Sequence, residues 1–204
     1  MRTGITAAGL RRLYTDLHKT DIEIAEFFGV DRTTIVHMRK SHNITSRKTI
    51  GEIGEEMVVK ELKSRGYLVR NMNDEDKLHP FDLLVNENLR IEVKSSTLSK
   101  DNGFTFSLSE KPSNKNVESE NRIRLASGRT KKLFRKTCDL MIFVGIEDNG
   151  DCHFYLIDPY DLDDGLSVLR APLNPSSKSK YNKGRENWSL LQKNSLMRQH
   201  QTGF

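Results

Sequence analysis

The sequence predicts a small all-α segment at the N-terminus, followed by a larger α/β domain with a mixed sheet flanked by helices. Three observations carry this. Apolar residues recur at helical spacing over 6–40 and again over 50–65. They alternate with polar residues through 81–93 and 103–109, as in half-buried strands. Two nearly continuous apolar runs, Leu140–Ile146 and Cys152–Ile157, read as buried strands. At 204 residues the chain has room for one sizeable core and a small accessory domain. The boundary falls between 1–48 and 49–204.

The first element is a helix over 6–18, with Leu10, Leu13, Tyr14 and Leu17 on one face. Asp21–Val30 and Asp31–Lys40 follow as two helices around a turn. Ala25 is small where helices must cross closely, and Gly29 stands where a positive φ costs it nothing. Asp31 suits the N-cap of the second helix. Ile24, Phe28, Val30, Ile35 and Met38 form the shared core. This is the pattern of a helix-turn-helix; the alternative is an ordinary helical hairpin. As a DNA reader, its second helix would present Arg32, Thr33, Thr34, His37, Arg39 and Lys40. Ser41–Thr49 is polar and reads as a linker.

The larger domain opens with a helix over 50–65 that ends at Gly66. Glu55 falls among Val58, Val59 and Leu62 on its apolar face. An unpaired charge there is costly, so a metal or its water would satisfy it; the alternative is a buried acid paired with an arginine or capping an amide. Tyr67–Arg70 reads as a strand and Asn71–His79 as a polar loop. A hairpin then turns at Asn86-Glu87-Asn88, and Gly103–Ser109 is a further strand. A helix is expected near Thr130–Thr137, before the two apolar strands. The order α-β-β-β-β, then α-β-β, implies one mixed sheet with helices on its faces.

Within the hairpin, Asp82, Glu92 and Lys94 alternate away from Phe81, Leu83, Ile91 and Val93. Two converging carboxylates can hold a hard divalent cation, and a lysine beside them can meet a phosphate. The alternative is a cross-strand cluster of surface ion pairs.

A helix with Glu55, then Pro80-Phe81-Asp82, then Glu92-Val93-Lys94 resembles the PD-(D/E)XK nuclease superfamily, the restriction-endonuclease-like fold. The spacing looks most like archaeal Holliday junction resolvases and related phage or mobile-element endonucleases. The likeness covers about 50–160, and Phe81 interrupts the literal Pro-Asp dipeptide. It implies that Asp82 and Glu92 ligate Mg²⁺, or Mn²⁺ in its place, with the Val93 carbonyl as a third oxygen. Glu55 would hold a bound water or a second ion. Lys94 would orient or help deprotonate the attacking water and stabilise transition-state charge. Ser96 would contact phosphate. The activity implied is hydrolysis of DNA phosphodiester bonds, structure-directed as in a junction resolvase and carried out by a homodimer. Sequence-directed restriction or homing cleavage is the alternative, and a non-catalytic helix-turn-helix regulator is the alternative of a different class. The motif does not separate DNA from RNA.

Charge distribution agrees with a nucleic-acid partner. The net charge is +5 and the pI about 9.2. Residues 111–136 carry nine Lys/Arg against two Asp/Glu, whereas 137–169 carry none against eight. Basic flanks suit phosphates and an acidic centre suits a metal; a solvated charged surface is the alternative. The polar stretch Lys111–Arg129 reads as a loop that either wraps DNA or is solvated. Arg122, Arg124 and Arg129, with Lys131 and Lys132 just beyond, are its candidate phosphate contacts. Asp158–Asp164 lacks the alternation of a calcium loop and reads as a turn with a short helix. In the basic C-terminal tail, Trp188, Leu190 and Leu191 should dock on the core. Mean hydropathy is −0.63, and no apolar stretch approaches the roughly 18 residues of a membrane span. With no leader pattern and two cysteines lacking metal spacing, the chain reads as cytoplasmic, in a bacterial, archaeal or phage-infected cell.

Overall fold

The structure is a computed structural model that describes residues 4–74, 76, 79–111 and 118–194. The chain divides into two compact units, Met1–Arg47 and Lys48–Phe204.

In the first unit, α1 (Ala7–Arg11) starts at Thr6, whose hydroxyl accepts the Gly9 amide at 3.1 Å. It continues as a π-helical turn over Arg12–Asp16. That wider turn rotates Leu17 off the apolar face, so Leu17 is 53% exposed where the periodicity put it inside. Thr20 and Glu23 form a reciprocal capping box that opens α2 (Asp21–Phe28). Gly29 takes the left-handed conformation, φ 62°, that ends it. Asp31 occupies the N-cap of α3 (Arg32–Ser41), but its side chain makes no capping bond. Leu10, Tyr14, Ile24, Ala25, Ile35 and Ile44 close the core, with Phe28, Val30 and Met38 packed against them. The expected linker is largely part of this unit. Ile44 is buried, and the Arg47 guanidinium donates to the His18 and Lys19 carbonyls, both at 2.8 Å, and covers the Tyr14 ring.

The second unit begins at α4 (Ile50–Ser64), opened by a Thr49–Glu52 capping box. A five-stranded mixed sheet follows, in the order β1 (Val69–Asn71), β2 (Leu83–Val85), β3 (Leu89–Thr97), β7 (Leu140–Ile146), β8 (Cys152–Ile157). Only the β3–β7 pair is parallel. The β2–β3 turn has Asn86 and Glu87 at φ 47° and 60°. Two expectations are corrected. The strand at 103–109, β4 (Gly103–Ser107), lies outside the main sheet, paired with an unforeseen strand β9 (Val168–Pro172). The polar stretch after β4 contains a hairpin, β5 (Arg122–Arg124) with β6 (Thr130–Lys132), so the helix expected from Thr130 is only α5 (Phe134–Thr137).

The two sheet faces have separate cores. On one, Val58 and Leu62 of α4 pack on Leu83, Ile91, Val93, Ile142 and Val144. The tail joins this side through fully buried Leu191, with Trp188 between Phe154 and the Arg65 guanidinium. On the other, Phe104, Phe106 and Leu169 of the β4–β9 ribbon and Phe134 of α5 cover Met141, Phe143 and Tyr155. Phe81 belongs to this second core, not with Leu83. Among the described residues no helix is long and apolar enough to cross a membrane.

Candidate active site

Asp82 stands immediately before β2, and its backbone is pinned on both sides. Its amide donates to the Ile91 carbonyl at 3.0 Å, and its carbonyl accepts from the Met72 amide at 2.8 Å. The side chain is held as firmly: Oδ2 accepts the Val93 amide at 2.7 Å and Oδ1 accepts Asn73 Nδ2 at 3.1 Å. The same Asn73 amide donates to Glu55 Oε2 at 3.2 Å. Asn73 therefore ties the helix carboxylate to the hairpin carboxylate. It sits in a turn whose geometry is set by the Asn71 side chain accepting its backbone amide at 3.0 Å. Nothing in the local sequence marked Asn73 beyond its place in a polar loop.

Glu92 and Lys94 share the face of β3 opposite α4. Strand alternation put them outward, but outward here is beneath the second layer, and Glu92 is fully buried. Two ammonium groups compensate it. Lys94 Nζ lies 2.5 Å from Oε1, and Lys132 Nζ lies 3.2 and 3.1 Å from the two oxygens. Burial alone would push the Glu92 carboxyl up; Lys94 and Lys132 outweigh it and hold it below the ordinary value. Burial likewise disfavours charge on Lys94, but Glu92 and then Asp82 reverse this and raise its pKa. Lys94 is thus an ammonium in this arrangement, a donor and counter-charge rather than a base.

Glu55 and Asp82 are the under-compensated members. Glu55 is half-buried at the edge of the Gly54–Val58–Leu62 stripe that α4 turns to the sheet. Burial raises its pKa first, the Asp82 charge second. Burial also raises Asp82, with Glu92 next. Gly54 allows this approach of α4 to β3: a Cβ there would lie 2.7 Å from the Ser95 Cβ.

Among the described residues no three or more His, Cys, Asp or Glu side chains are arranged to hold a metal ion. Both Glu92 oxygens are taken by lysines. Asp82 and Glu55 remain as hard-oxygen donors, two acids raised by burial and by neighbouring negative charge. That is the deficit a divalent cation relieves, and Mg²⁺ is satisfied by one or two carboxylates and several waters. The donor chemistry therefore fits a hard cation at Asp82 and Glu55, while Glu92 could ligate only by giving up a lysine. The Val93 peptide lies directly on Asp82 through its amide. Ser96, half-buried, donates to the Thr97 carbonyl at 3.1 Å.

The other candidates separate. Lys132 is in the centre itself rather than in a peripheral loop. Lys131 is corrected: it is 2% exposed, and its Nζ donates to the Asp163 and Asp164 carbonyls at 2.7 and 3.0 Å, so it cannot face a phosphate. Arg122 is paired with Glu110 at 2.6 Å, Arg129 donates to the Ser109 hydroxyl and carbonyl at 2.8 and 2.9 Å, and Arg124 is exposed. On α3, Arg32, Thr33, His37 and Lys40 are exposed and Thr34 half-buried. Arg39 is corrected: its guanidinium is buried, bonded to both Asp21 oxygens at 2.6 and 2.7 Å and stacked on Tyr14.

No protein-family model matches the chain, and no curated protein matches it in sequence. Its structure is similar to that of a bacterial homing endonuclease, I-Ssp6803I, with a TM-score of 0.54 at 15% identity, over 76% of this chain and 99% of that one. At this identity the likeness is one of fold: the chain shares with that endonuclease a mixed α/β architecture, here a five-stranded sheet flanked by helices.

Proposed function

We propose that this chain is a divalent-metal-dependent DNA endonuclease that hydrolyses phosphodiester bonds at the Glu55–Asp82–Glu92–Lys94 centre. The observation that carries the reading is the convergence of three acids and two lysines from four separate segments onto one largely buried site, with two of the acids short of positive charge. Surface ion pairs do not explain it, because Glu92 is fully buried and Asp82 is held by a backbone amide.

Asp82 and Glu55 would hold Mg²⁺, or Mn²⁺ in its place, and Glu92 would join them on giving up a lysine. The ion, when bound, supplies Lewis acidity and a nucleophile at neutral pH. Asn73 and the Val93 amide fix the orientation of the two acids. Lys94, protonated and anchored on Glu92, offers its remaining N–H groups to the phosphate and to charge developing on it. Exposed Arg32, Thr33, His37 and Lys40, with half-buried Thr34, make α3 the duplex-reading helix of the N-terminal unit. Ser96, Arg122, Arg124 and Arg129 are further candidates for phosphate contact.

Two substrate readings follow. The motif spacing resembles junction resolvases and supports structure-directed cutting. The fold likeness to a homing endonuclease, together with an N-terminal reading helix, supports sequence-directed cutting. Cutting both strands takes two such centres, so the reading includes a homodimer on DNA. The test is incubation with Mg²⁺ and labelled linear duplex, single strand, flap and four-way junction, with RNA counterparts. Metal-dependent DNA cleavage is expected; preference for the junction selects the first reading, and discrete duplex fragments from a long, diverse DNA select the second. No cleavage of any substrate would favour a non-catalytic DNA-binding regulator.

A further inference from the structure

Glu92 is fully buried, yet its two ammonium partners hold it differently. Lys94 makes the short contact, 2.5 Å to Oε1. Lys132 spans both oxygens at 3.2 and 3.1 Å, across the bidentate edge of the carboxylate. A divalent cation uses that same edge. The backbone that carries Lys132 is fixed. Lys131 anchors in the opposite direction on the Asp163 and Asp164 carbonyls, and the Leu133 amide donates to the Asn121 carbonyl at 2.9 Å. The Lys132 side chain is less constrained: it is 16% exposed, and its other contact, to the Pro80 carbonyl, is 3.4 Å long. Its flexible four-carbon stem can swing the ammonium outward while β6 stays in place.

The geometry points to Lys132 as a built-in counter-cation, which holds Glu92 charged and in position until a divalent ion displaces it and then offers its ammonium to a nucleic-acid phosphate. This rests on the metal-dependent reading above and deepens it: cation binding becomes the event that frees a phosphate contact. Asn73 has the matching part at the other two acids, bridging Glu55 and Asp82 with one amide group.

The test uses the full chain. Mn²⁺ binding is followed by electron paramagnetic resonance of the free ion, and duplex binding in EDTA by fluorescence anisotropy. Lys132→Met should bind Mn²⁺ about tenfold more tightly than wild type, a coupling of ordinary size. Glu92→Gln, which releases Lys132 without an ion, should bind duplex more tightly than wild type in EDTA. Adding Lys132→Met to it should abolish that gain. Mn²⁺ binding by wild type that is unchanged or weaker in folded Lys132→Met would overturn this inference alone. If Lys132→Met does not fold, no gain in duplex binding by Glu92→Gln overturns it instead. Failure of wild type and variants alike to bind Mn²⁺ would overturn the metal-dependent reading and this inference with it.

Discussion

At Glu55 the fold holds a carboxylate that burial and Asp82 make harder to ionise. Because its folded-state pKa is raised, the folded chain binds that proton more tightly than the unfolded chain does. The penalty is therefore fully present above the raised value and disappears as pH falls through it toward the ordinary 4.5. Glu55→Gln keeps an oxygen for Asn73 and removes the charge. It should raise Tm at pH 7 by about 2 °C, with the gain shrinking toward pH 4.5, as followed by circular dichroism. A lowered Tm at pH 7 would contradict the assigned cause. Arg39 gives the opposite case, a buried cation that the unit needs. Arg39→Ala leaves Asp21, whose side chain is 11% exposed, without its partner. The loss should be about 3–5 kcal/mol, read as faster hydrogen exchange over 21–41. A DNA-contact residue would show weaker binding with exchange unchanged.

At the scale of elements, the site depends on how closely α4 lies on β3. Gly54 is the contact, next in sequence to Glu55, and an alanine there would place its Cβ 2.7 Å from the Ser95 Cβ. Rotating the serine hydroxyl does not relieve a Cβ–Cβ clash, so the helix itself must shift. Gly54→Ala should cost about 1–3 kcal/mol by overpacking and displace Glu55 from Asn73. Gly54→Ala with Ser95→Gly should recover most of the stability in urea unfolding. Failure of this rescue would mean that the contact is not what limits the approach. The same elements show what the sequence makes legible. The helix over 50–64, the Asn86–Asn88 turn and the two apolar strands follow from local periodicity and turn chemistry. The β4–β9 ribbon does not, because its partners are some sixty residues apart and each carries only a short alternation. The β5–β6 hairpin is illegible in the same way, and its Lys132 is what meets Glu92 on the side that strand alternation turned outward.

At the scale of the whole molecule, the chain folds as two units, each with its own core. Removing 1–47 should leave the α4 capping box and the Lys48–Glu56 pair intact. The remainder should melt cooperatively and keep its chemistry while losing duplex affinity; a remainder without a cooperative melt would contradict the independence of the units. The candidate site was legible where its residues follow strand or helix periodicity, as with Glu55, Asp82, Glu92 and Lys94. It was illegible where tertiary placement alone brings a residue in. Asn73 is one polar residue in a polar loop until a turn aims its amide at two acids. Lys131 and Lys132 are indistinguishable in sequence, yet strand pairing sends one to the Asp163–Asp164 turn and the other to Glu92.

The central claim is that this buried cluster is a catalytic centre and not a structural ion-pair network. The most direct measurement compares Mg²⁺-dependent DNA cleavage and DNA binding by wild type, Asp82→Ala and Lys94→Ala. Cleavage by wild type, a loss of about 10²–10³-fold or more in both variants, and binding retained by both is the predicted result. Undiminished cleavage by Asp82→Ala would contradict the account.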